Sequence, residues 1–128
     1  MSELSNHLED KFLEITLKGG TAYNVATPYL ALFSSDPTDS GSGTECNWTN
    51  YARQTMAFGT ISNGTVASSG TITFPAVVGA NVTITHIGIY DAASTGNLLY
   101  HTPLDLAKTL TVDDVMSVAS GGISVTLS

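Results

Sequence analysis

The sequence predicts an all-β fold, an antiparallel β-sandwich or partly closed barrel, carrying one N-terminal amphipathic α-helix. Three observations predict it. Helical periodicity is confined to residues 1–18; beyond Tyr29 the apolar residues fall in short runs; and turn signals such as Asn63-Gly64, Asp113-Asp114 and Gly121-Gly122 separate those runs. At 128 residues the chain reads as a single domain, with the helix over 1–18 and the sandwich over 28–128. A chain of this length buries roughly 65–70% of its unfolded surface, enough for a core without disulfides or metal.

In the helix, Leu4, Leu8, Phe12 and Ile15 share one stripe, which Leu13 and Leu17 widen. Ser2 or Ser5 supplies the N-cap, Glu3, Glu9 and Asp10 suit the positive end, and Lys18-Gly19-Gly20 closes the helix. The stripe has two destinations: the chain's own sheet, or a neighbouring subunit reached through the Gly-Gly hinge. Tyr29–Phe33 is an apolar strand, opened by Pro28 and ended by Ser34-Ser35-Asp36-Pro37. A polar connection from Asp36 to about Asn50 follows, and loops of that length are usually functional or mobile.

Arg53 to Phe58 alternates, with Gln54, Met56 and Phe58 on one face. Asn63-Gly64 marks a tight turn between Ile61 and Val66, and Thr71–Phe74 alternates again up to Pro75. A hairpin spans Val82 to Leu104, its turn carrying Ser94-Thr95-Gly96-Asn97. Lys108–Val112, Val115–Ala119 and Ile123–Leu127 are expected as three further strands.

Charge narrows the partners. The net charge is −7 and only 12% of residues are charged, about half the usual fraction. Beyond the helix only Arg53 and Lys108 are basic, too few to neutralise a phosphate backbone or an anionic membrane surface. No nucleic acid and no membrane partner is therefore expected. No apolar run approaches a membrane span, and the N-terminus does not read as a signal peptide. Asn47, Asn63 and Asn81 begin Asn-x-Thr patterns, which a Thr-rich chain produces by chance.

Residue chemistry names no reaction. His86 sits mid-strand, in phase with Val82, Ile84 and Tyr90, without a partner of the kind a catalytic base needs; a structural histidine is the plainer reading. Asp91 ends that strand and is expected to accept N–H bonds from Ala93 or Ser94. Cys46 is the sole cysteine, and neighbouring Glu45 raises its pKa, against nucleophilic use. His7, His86 and His101 lack metal-ligand spacing, and Asp36, Asp39 and Glu45 do not follow a calcium-loop pattern. No catalytic, metal or cofactor residue is assigned, and an enzyme is not expected.

Several pieces, in order, resemble a family of small phage virion proteins, often labelled tail-fibre or virion structural proteins. They are the helix over Leu4–Leu13; Thr21-Ala22-Tyr23; Pro28–Phe33; Asp36-Pro37-Thr38-Asp39; Tyr51-Ala52-Arg53-Gln54; Ile72-Thr73-Phe74-Pro75; Thr85–Ala92; Gly96-Asn97-Leu98-Leu99; and Ile123–Leu127. The segment Glu45–Asn50 departs from the family, where a Gly-rich, less aromatic stretch is expected. The resemblance implies a non-enzymatic virion structural protein, assembled in the bacterial host cytoplasm as a symmetric homo-oligomer, with a trimer among the candidates. As such it would be a capsid decoration (cement) protein or an accessory tail or fibre component, contacting itself and other capsid or tail proteins. The expected contact residues are Leu8, Phe12 and Ile15 on the helix, and Asp39, Trp48 and Tyr51 in the 36–51 loop. The rival expectation is a carbohydrate-binding host-attachment module, with a host glycan gripped by Trp48, Tyr51 and Asp39.

Overall fold

The computed structural model describes Glu3 to Leu127, and within these residues it is mostly antiparallel β-structure with one short helix. The strands are β1 (Glu3–Leu4), β2 (Tyr29–Phe33), β3 (Gln54–Thr55), β4 (Ala57–Phe58), β5 (Thr65–Ser69), β6 (Ile72–Thr73), β7 (Val82–Tyr90), β8 (Leu98–Leu110), β9 (Ser117–Val118) and β10 (Ser124–Thr126). The helix, α1, is Asn6–Leu17. A five-stranded sheet runs β1-β8-β7-β2-β3; β10-β5-β4 and β6-β9 form two smaller sheets. The arrangement is sandwich-like, and the sheets do not close into a barrel.

The main core lies between the large sheet and the smaller ones. Leu30, Leu32, Ile84, Ile87, Ile89 and Leu99 meet Met56, Ile72, Phe74, Val77, Met116 and Val125, with Leu8 added from α1. A second cluster of Ala31, Phe33, Tyr90 and Leu98 sits apart from it. Alternate residues of a strand face opposite sides of a sheet, so the two clusters occupy the two faces of β2 and β7. The unbroken apolar run Tyr29–Phe33 is thus a strand buried on both faces. Gly88 belongs to this packing: a Cβ there would lie 2.9 Å from Leu98 Cδ1 and 3.1 Å from Phe33 Cε1.

Three sequence expectations need correction. Leu4 is not helical. Ser5 is extended and caps α1, its hydroxyl accepting the Leu8 N–H and donating to the Leu98 carbonyl. Glu3 and Leu4 therefore enter the sheet as β1, opposite His101 and Tyr100. The alternative cap, Ser2, lies outside the described residues. Lys108–Leu110 is not a separate strand but the far end of β8, pairing with Val82–Ile84. Between the pairs Ile84↔Lys108 and His86↔Pro103, β7 advances two residues and β8 five, so Leu104–Ala107 form a bulge in which Leu106 is 84% exposed while Leu104 still packs on the main core. Pro103 lacks an N–H for the ladder, and the bulge erases the alternation that would have shown one continuous strand.

The same register shift corrects the phase of His86. Ile84 faces the main core and so do Ile87 and Ile89, so the pattern changes face at Thr85. His86 is aligned with Gly88 and Tyr90 on the other face. The Asn63-Gly64 turn forms as expected, with both residues at positive φ (51° and 74°) and Ser62 and Thr65 exchanging backbone hydrogen bonds.

Candidate functional site

The long 36–50 loop folds back over the outer face of the large sheet. Its return leg pairs with the end of β2: Ser34 N–H donates to Thr44 O, Cys46 N–H to Leu32 O, and Phe33 and Glu45 form a bridge. Gly41 reaches Leu98 and Tyr90, its Cβ position being 3.6 Å from Leu98 Cβ and 3.7 Å from the Tyr90 hydroxyl. The smaller apolar cluster is therefore roofed by loop.

Arg53 pins this roof to the β7–β8 turn. Its Nε and Nη2 donate to the two Glu45 carboxylate oxygens at 3.0 and 2.9 Å. Its Nη1 donates to the Ala92 and Thr95 carbonyls at 3.0 and 2.8 Å, while the guanidinium lies 3.7 Å from the centre of the Tyr90 ring. The Arg53 side chain is only 8% exposed. Burial lowers the Arg53 pKa, but Glu45 outweighs it and the group is held above its ordinary value. Two polar clefts flank the clamp. One, of about 300 Å³, is lined by Ser40, Gly41, Gly43, Tyr90 and Thr95; the other, of about 430 Å³, by Asn47, Ala52, Ser94 and Thr95.

Asp91 shapes the turn, with different donors from those expected. It accepts the Asn97 backbone N–H at 2.7 Å, the Asn97 amide at 3.0 Å and the Tyr23 hydroxyl at 2.8 Å, not Ala93 or Ser94. Burial pushes its carboxyl up, yet these donors outweigh it and the pKa falls below the ordinary value. The Tyr23 hydroxyl is pushed up to about 12, by burial first and then by Asp91.

The expected contact residues fall in different places. Leu8 is buried in the core, and Phe12 packs against it. Ile15 is half-buried, whereas Leu13 and Leu17 on the widened flank are 56% and 76% exposed. An apolar groove of about 300 Å³ opens beside α1, lined by Phe12, Tyr23, Pro28, Phe58, Ile61 and Tyr100. Ile61 on its wall is 74% exposed. Trp48 and Tyr51 meet edge to face at 4.9 Å, and Tyr51 stacks on Phe74. The Tyr51 hydroxyl accepts the Leu32 N–H and donates to Glu45, so this ring buttresses the sheet. Asp39 is engaged elsewhere, 2.8 Å from His101 Nε2.

For the nucleophile and ligand candidates, burial pushes the Cys46 thiol up to about 11 and Glu45 adds to it. Glu45 turns to Arg53, whereas Asp39 and Asp36 both face His101, and Asp36 also lies 4.0 Å from His86; among the described residues no group of three or more His, Cys, Asp or Glu side chains is arranged to hold a metal ion. The Arg53 clamp and the buried His101 were not legible as sites, because the Ala92 carbonyl and Asp39 that help hold them lie 39 and 62 residues away along the chain; Glu45, the other Arg53 partner, is 8 residues away.

No curated protein matches the chain. A family model described as Podophage GP4 fiber I protein gp80 matches residues 3–126.

Proposed function

The chain belongs to the podophage GP4 fiber I protein gp80 family, and from that membership we propose that it works as an accessory fibre component built from several copies. It is a phage structural protein, associated with the virion and with other virion components. The proposal is narrower: a symmetric homo-oligomer, assembled in the host cytoplasm, whose subunits meet through the exposed side of α1 and the groove beside it. The family membership favours the fibre over capsid decoration.

One observation carries the reading. Leu13 and Leu17 on α1, and Ile61 on the wall of the groove, are large apolar side chains left in solvent. Apolar surface of this kind marks association surfaces, and burying each leucine is worth about 2 kcal/mol. A chain with 12% charged residues also brings few charges to desolvate at such a contact. The carbohydrate-binding reading has no comparable support, since Asp39 pairs with His101 rather than joining Trp48 and Tyr51.

The test is the mass of the purified protein in solution over a range of concentrations. The wild type is expected to be oligomeric. Leu13→Glu with Leu17→Glu should give single subunits with an unchanged circular-dichroism spectrum, because neither side chain supports the core. A wild type that stays a single subunit at every concentration would overturn the proposal.

A further inference from the structure

We propose that His101 is a proton-operated latch that seats the 36–45 loop on the outer face of the large sheet. His101 lies on β8 with 3% of its surface exposed. Its Nε2 is 2.8 Å from Asp39 Oδ1. The other ring nitrogen, Nδ1, is buried and has no hydrogen-bond partner. It faces Glu3 Oε2 at 3.9 Å and Asp36 Oδ1 at 4.0 Å, both too long for a hydrogen bond.

The surroundings follow from strand register and loop path. Glu3 on β1 lies directly opposite His101, and Gly88 on β7 flanks it on the other side. Two residues along β7, His86 places its Nε2 4.0 Å from the same Asp36 oxygen and its Nδ1 2.8 Å from Thr85 Oγ1. Among the described residues, the titratable groups around the His101 ring are thus Glu3 from β1, Asp36 and Asp39 from the loop, and His86 from β7.

A neutral imidazole that donates Nε2–H to Asp39 leaves Nδ1 as a bare lone pair turned toward two carboxylates. Acceptor then faces acceptor. A proton from solvent on Nδ1 makes it a donor and sets one imidazolium among three carboxylates. Burial opposes the charge; the carboxylates, 51–63% exposed, keep water and protons within reach. Drawing Asp36 and Glu3 in to hydrogen-bond distance would tie loop, β1 and β8 together.

The latch reaches further than its own contacts. The Asp39 carbonyl accepts the Asn6 N–H at the start of α1, and the next residues, Ser40, Gly41 and Gly43, form a wall of the cleft beside Arg53. Proton uptake therefore firms the cleft wall and the helix start at once.

The experiment is an NMR titration of protein labelled in the histidine rings and the backbone, from pH 8 to pH 5. The His101 ring should gain a slowly exchanging Nδ1 proton, and the amides of residues 38–43 should shift along the same curve. In the Glu3→Gln, Asp36→Asn protein, which keeps the ring and its Asp39 contact, the loop transition should move to lower pH. Three results would overturn the latch. They are a His101 ring still neutral at pH 5, loop amides indifferent while the ring titrates, and zinc at constant pH reproducing the loop shifts at one equivalent.

Discussion

Replacing Arg53 by Ala is expected to destabilise the protein by about 3 kcal/mol, near the lower end of what breaking a buried ion pair costs. The discount is for Glu45, whose side chain is 25% exposed and can recover some hydration. The loss has three parts. Glu45 keeps a charge without its bidentate partner, the Ala92 and Thr95 carbonyls lose their donor, and the Tyr90 ring loses the guanidinium over its face. For a chain of this size that corresponds to a fall of roughly 10 °C in Tm. Arg53→Lys keeps the charge but not the fork, and should recover less than half of the loss. Denaturant titration of the three proteins checks this; a change below about 1 kcal/mol for Arg53→Ala would show the clamp to be incidental.

Phe33→Ala should cost about 3–4 kcal/mol, the range for deleting a buried aromatic ring. Phe33 is 1% exposed, its ring runs nearly parallel to that of Tyr90 at 6.2 Å, and it closes over Gly88. It does not belong to the main core, so the size of the effect measures how well the 36–50 loop seals the outer face. Hydrogen exchange should rise in that loop and in the β7–β8 turn while β5 and β10 stay protected until global unfolding. A loss of under 1 kcal/mol would mean that this face is in effect solvated.

How much of this was legible depended on range. Tyr29–Phe33, the Asn63-Gly64 turn and the Ser5-capped helix are local patterns, and their residues announce them. The limits of β8 were hidden because Pro103 and the Leu104–Ala107 bulge break the alternation, splitting one strand into two apparent ones. The face of His86 was misjudged for the same reason: a period of two misassigns everything past a bulge. Asp91 was legible as a turn former, but its donors Tyr23 and Asn97 depend on how the chain closes. His101 carried no local signal, since its partners come from β1 and the 36–39 loop, and Arg53 carried only Glu45 close by in sequence, its two carbonyl partners being supplied by the β7–β8 turn.

The exposed leucines of α1 illustrate a different limit. The sequence grouped Leu13 and Leu17 with the Leu8 stripe, yet at 3.6 residues per turn they stand about 140° and 180° round the helix from Leu8, and they are exposed. A helix with more apolar width than its own sheet can cover has surface left for another subunit. The subunit contact proposed above would use that exposed surface.

Reconstruction of purified phage particles with this chain located in them tests the account most directly. The prediction is density for the chain at the fibres, in a copy number set by the local symmetry, with Leu13, Leu17 and Ile61 covered by a neighbouring subunit. Particles that lack the chain, or that carry it with α1 facing solvent, would contradict it.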